Sequence, residues 1–187
     1  MASPPAEDKA GSMSVSRWIL VALLAAAPAC SRAQKPCFNG LPDDLRAAVE
    51  QNNWKIVQRE DLSESDLRFW KDRHPGECPG VAAGDFSPHA KQSFIVAVFE
   101  RDEQKNLLEK VLLVTEKKHQ PVAEDAVTTM AVATPYVVWK LHKGRYLGID
   151  GTKASISRDS FVYEKMVGPA SQYYYQGDHL RSFVLSR

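Results

Sequence analysis

Cysteine is scarce in this chain, histidine is scattered, and no hydrophobic run is long enough to cross a bilayer as a helix. Each shortage removes a class of function. The three cysteines in 187 residues, Cys30, Cys37 and Cys78, include no Cys-x-x-Cys pair, so zinc-ribbon and thioredoxin-like chemistry lack their usual spacing. His74, His89, His119, His142 and His179 show no His-x-His or His-Glu-x-x-His pattern, which disfavours a zinc hydrolase. There is no Gly-x-Ser-x-Gly elbow for a serine nucleophile and no glycine-rich loop to cradle phosphate. No repeat of fixed period and no low-complexity tract occurs beyond residue 33.

The longest apolar run, Trp18 to Ala29, follows Arg17 and ends in small residues. It is too short for a membrane span and fits the hydrophobic region of a secretory signal. Cleavage before Gln34, after Ser31-Arg32-Ala33, or before Cys30, after Ala27-Pro28-Ala29, suits it, and the first is preferred. Residues 1–33 therefore read as a signal peptide with an upstream extension, Met13 being an alternative start, and 34–187 as a single domain. A membrane association is expected only through a lipid anchor at Cys30. Residues 34–187 hold 21 basic and 21 acidic side chains. Neutrality gives no general pull on nucleic acid or anionic lipid, so nucleic-acid binding is not expected.

In an exported chain the remaining pair, Cys37 and Cys78, reads as a disulfide rather than a catalytic thiol or metal site. Closing a loop of about 40 residues would stabilise the fold by roughly 3–4 kcal/mol.

The pattern along the chain predicts an α+β fold: N-terminal helices packed on a mainly antiparallel β-sheet. In "LPDDLRAAVEQNN", Leu41, Leu45, Ala48 and Val49 form one helical stripe. In "DLSESDLRFWKDRHPG", Ser63 precedes Asp66 as a capping pair, Leu67 and Trp70 face inward, and His74-Pro75-Gly76 ends the helix. Beyond Cys78 the signals are strands. "SFIVAVFE" and "NLLEKVLLVTEK" suggest a hairpin, "AVTTMAVATPYVVWKL" breaks near Pro135, and "RYLGI" and "DSFVYEK" are shorter. Gly177-Asp178 predicts a two-residue hairpin that sets Gln176 opposite His179, Tyr175 opposite Leu180 and Tyr174 opposite Arg181. Tyr174 and Arg181 would then stack as a cation–π pair. The connectors "ERDEQK" and "TEKKHQ" read as solvated loops.

The stretch "GDFSPHAKQS" has the outline of a calcium loop without its ligands. Counting alternate positions from Asp85 gives Ser87, His89, Lys91 and Ser93: one carboxylate, two hydroxyls, an imidazole and a lysine, where a hard cation needs six to eight oxygens. A turn feeding a core strand explains it better. Together "WKIVQREDL", "HPGECPGVAAGDF" and "YYYQGDHLRSFVLS" resemble a group of uncharacterised secreted bacterial proteins whose middle segment is similar to an FG-GAP-type calcium-loop repeat. The resemblance implies export but no biochemical activity, and the missing acids after Asp85 argue against a metal here.

No catalytic residue, cofactor or metal ligand is expected. Trp139 and the run Tyr173, Tyr174, Tyr175 are the candidate binding residues, because aromatics on exported β-domains hold peptides or sugars. The sequence reads as a secreted or periplasmic, non-catalytic binding or structural module of the cell envelope, its partner a protein, a peptide or an envelope component. An envelope hydrolase with an unrecognised site is the alternative.

Overall fold

The computed structural model describes residues 36–50, 53–104 and 106–187, with Thr129 by its backbone alone. The expected signal segment 1–33, the alternative start at Met13 and Cys30 lie outside the described residues. The described residues fall in one compact unit, Lys35–Arg187.

That unit is mainly antiparallel β-structure with few helices. Among the described residues there are two α-helices, α1 (Asp43–Val49) and α2 (Glu64–Arg73), together with eleven strands. One sheet contains β1 (Lys55–Ile56), β2 (Val81–Gly84), β3 (Ser93–Arg101), β4 (Leu107–Lys117) and β5 (Gln120–Val132). A second has the order β11 (His179–Ser186), β10 (Ala170–Gln176), β9 (Ser160–Glu164), β6 (Val137–Leu141). A separate hairpin joins β7 (Gly144–Leu147) and β8 (Lys153–Ile156).

The layering follows from strand alternation, since successive side chains point to opposite faces. On β3, Phe94, Val96 and Val98 join Leu41, Leu45 and Val49 beside α1, while Ile95, Ala97 and Phe99 face a core shared with Val138, Phe161 and Tyr163 of the second sheet. A strand covered on both faces must be apolar throughout, and "SFIVAVF" is nearly so. The β7–β8 hairpin in turn buries Ala154 and Ile156 with Phe183 of β11, so the second sheet is also covered on its outer side.

β3 has an unusual outer edge. β2 pairs with its first half and β1 with its last, and the two short strands meet at Ala97. There Ala97 N–H donates to Gly80 O and Val57 N–H donates to Ala97 O. Gly80 sits so close that a Cβ would lie 2.2 Å from Val57 O. The Cys37–Cys78 disulfide ties the segment before α1 to the start of β2, with Cα atoms 5.4 Å apart.

The expected β3–β4 hairpin and the break near Pro135 are present. The β10–β11 register pairs Gln176 with His179, Tyr175 with Leu180 and Tyr174 with Arg181, around Gly177 at φ +59°. "TEKKHQ" is a tighter feature than the expected loop: Lys118 and His119, at φ +53° and +61°, form a two-residue turn joining β4 directly to β5.

Candidate functional site

The four candidate aromatics do not gather on one surface. Tyr173 stacks on Phe161 at 5.1 Å, facing the inter-sheet core, and Tyr175 packs against the same core. Tyr174 points the other way and meets Phe183 edge-on at 5.9 Å, under the β7–β8 hairpin. The cation–π contacts found among the described residues are Arg46 on Phe38, Arg73 on Phe69 and Lys110 on Trp54; Tyr174 with Arg181 is not among them. Trp139, on β6, also packs against the inter-sheet core.

Trp139 belongs to a joint between α2 and the second sheet. Its Nε1–H donates to Glu164 Oε2 at 3.0 Å, and its ring is tilted against His74, 4.9 Å away. His74, which terminates α2, stacks on the fully buried Trp70 at 4.2 Å, and its Nδ1 lies 3.5 Å from Glu77 Oε2. Desolvation holds the His74 imidazole below its ordinary pKa, opposed by the carboxylates of Glu77 and Glu164.

Sequence reading missed the most perturbed acid. Glu109, on β4, is fully buried, and both its carboxyl oxygens accept the Tyr136 N–H, at 3.2 and 2.9 Å. Burial pushes its pKa up to about 8, against the lowering effect of the Tyr136 N–H and the Tyr163 hydroxyl. Tyr163 Oη lies beside the carboxyl without completing a hydrogen bond, and its own pKa is raised first by desolvation and then by Glu109. The carboxyl has no exposed surface and thus no route for a substrate. Its position explains it structurally: it anchors the first residue after Pro135, where the chain leaves one sheet for the other.

One accessible charged feature among the described residues is a cleft at one end of the sheets. Asp85, Pro88, His89, Ala90, Lys91 and Arg158 enclose about 260 Å³. Its floor loop, between β2 and β3, is firmly held. Ser93 Oγ accepts from Phe86 N–H at 2.9 Å and Ser87 N–H at 3.2 Å and donates to Gly84 O at 3.1 Å. Ser87 Oγ accepts from His89 N–H, and Phe86 is buried edge-on against Phe161 at 6.2 Å. From the β8–β9 connection, Arg158 Nη1 donates to Asp85 Oδ1 at 2.8 Å, while Asp159 Oδ2 accepts Asp85 N–H at 3.1 Å. His89 Nε2 lies 3.4 Å from Asp178 Oδ1 at the β10–β11 turn, and His142 Nδ1 lies 3.4 Å from Asp159 Oδ1. Four connections thus meet here, and Asp85 and Arg158 form an ion pair between two of them. Asp85, read from the sequence as a turn residue beside a lapsed calcium loop, has an arginine at its carboxylate. No group of three or more His, Cys, Asp or Glu side chains suited to a metal ion occurs among the described residues. No helix among them is long and apolar enough to cross a membrane.

Comparison of the chain with protein-family models, curated proteins and solved structures finds no match to any of the three.

Proposed function

We propose that the protein is an exported, non-catalytic binding module of the cell envelope, with the cleft between Asp85, Lys91 and Arg158 as its ligand-facing surface. The observation that carries this reading is the preformed frame of the cleft. Ser93, Ser87 and Asp159 hold its loop through five hydrogen bonds, so the loop backbone has little ordering left to do on binding, and Arg158 is fixed on Asp85. The secretory pattern of residues 1–33 and the Cys37–Cys78 disulfide support an oxidising compartment. The acid with the most strongly raised pKa among the carboxylates is sealed in the core, which removes it as a catalytic group.

The test is capture of solubilised envelope fragments by the immobilised protein, beside the double variant Lys91→Gln/Arg158→Gln. Capture that disappears in the double variant supports the reading; capture indifferent to it overturns it. The hydrolase alternative is favoured by one feature, the His74 imidazole beside Glu77. Turnover of envelope polymers that vanishes in His74→Gln would establish that alternative instead.

A further inference from the structure

The cleft is small and bipolar, and those two properties narrow its ligand. Its volume of about 260 Å³ falls below the roughly 300 Å³ at which pockets for drug-sized ligands begin. Its lining carries both signs, Asp85 beside Lys91 and Arg158, and neither sign is fully used. Asp85 meets Arg158 through a single carboxylate oxygen and a single guanidinium nitrogen. A carboxylate has two acceptor oxygens and a guanidinium five donors, so both retain capacity for a ligand. Lys91 has no ion-pair partner among the described residues.

Charge excludes the simpler ligands. An anion such as phosphate would bring its charge against Asp85, whose side chain is 47% exposed in the cleft wall. A simple cation would meet Lys91 and Arg158. A small ligand carrying both signs satisfies the anionic and the cationic groups at once. We infer that the cleft binds a small zwitterion, a free amino acid or dipeptide, its carboxylate held by Lys91 and Arg158 and its ammonium by Asp85 Oδ2. Pro88, His89 and Ala90 bound it. This assignment rests on the cleft being the ligand-facing surface, and it names the class of ligand.

The experiment is a titration of the full protein, followed by amide chemical shifts, with four probes: alanylalanine, its C-terminal amide, its N-acetyl form and inorganic phosphate. Alanylalanine should move the amide resonances of residues 85–87, 89–91 and 158. Masking either end should weaken binding about tenfold or more, the loss of one charge-assisted contact. Variants give a crossed signature. Lys91→Gln should weaken the free dipeptide and leave its amide unchanged, whereas Asp85→Asn should weaken the dipeptide and leave the N-acetyl form unchanged or improved. Lys91 is exposed, so its variant keeps the test valid if Asp85→Asn unfolds. Equal binding of free and masked dipeptides, or tighter binding of phosphate, overturns the inference. If no probe binds while cleft-dependent capture of envelope material persists, the zwitterion is wrong and the binding-module reading stands. If that capture ignores the cleft as well, both fall.

Discussion

Replacing Glu109 with Gln should change how stability depends on pH, and the size of the effect follows from its surroundings. The carboxyl is fully buried on β4, with the Tyr136 N–H and the Tyr163 hydroxyl as the groups that offset its desolvation. Its pKa rises from 4.5 to about 8. A carboxyl raised in the folded state contributes stability that is complete below its unfolded value and is lost as pH rises through its folded value. Between about pH 4.5 and 8 the folded protein keeps a proton that the unfolded chain has released. Stability should therefore fall by about 1.4 kcal/mol per pH unit across that window, and level off above it. The full span is about 5 kcal/mol, a large share of the 5–15 kcal/mol typical of a domain. Glutamine keeps a carbonyl to accept the Tyr136 N–H and cannot ionise. Urea unfolding of the two proteins at intervals from pH 4 to 9 should give curves that diverge above pH 5, the Glu109→Gln protein remaining the more stable at pH 8. Parallel curves would refute the assignment of a protonated, buried Glu109.

His74 should act in the opposite pH direction. Its pKa is lowered in the folded state, chiefly by desolvation, so its contribution is complete above the unfolded value near 6.5 and is lost as pH falls below it. The stability of His74→Gln minus that of the wild type should therefore grow on acidification below pH 6.5. Removing the Cys37–Cys78 disulfide by double serine substitution should cost about 4 kcal/mol by the chain-entropy estimate for a separation of 41 residues, read as a lower urea midpoint with unchanged slope. Gly80→Ala should cost more than about 3 kcal/mol or abolish folding, because its Cβ meets the Val57 backbone at 2.2 Å and the joint of β1 and β2 on β3 must open. Gly177→Ala, at φ +59° with open space around it, should cost only about 1 kcal/mol, which separates steric from conformational effects by thermal melting.

Much of the strand framework was legible because its punctuation is local. Gly177-Asp178 sets the β10–β11 register, Pro135 interrupts the long run between β5 and β6, and the β-branched composition of β3 and β4 declares a hairpin. Other elements carry no such mark. β2 is "VAAG", where only Val81 favours a strand, and it is held by pairing with β3 rather than by its own preference. The β4–β5 turn uses Lys118-His119 where Asn-Gly would have announced it, so a charged connector concealed the first part of the 13-residue strand β5. Overestimating the helices has a similar cause. The stripe at Leu41, Leu45 and Val49 is real, but α1 holds only seven residues and covers one face of a sheet whose other face carries a second sheet.

The candidate site was less legible, and Asp85 shows why. Its turn was readable, but its partner Arg158 is 73 residues away, and Asp178, which meets His89 of the same loop, comes from a third connection. Such pairs depend on tertiary register, which a spacing rule cannot reach. The tyrosine run illustrates the converse. Alternation correctly sends Tyr173 and Tyr174 to opposite faces, but exposure depends on whether each face is covered, and the β7–β8 hairpin covers the outer one. Composition misleads in a related way. With 21 charges of each sign beyond residue 33, the chain is neutral on average, and that average speaks against polyanion binding. It says nothing about a ligand that is itself neutral and bipolar. Where opposite charges are held in pairs by a rigid loop, as at Asp85 and Arg158, neutrality is what a zwitterion-binding surface would display.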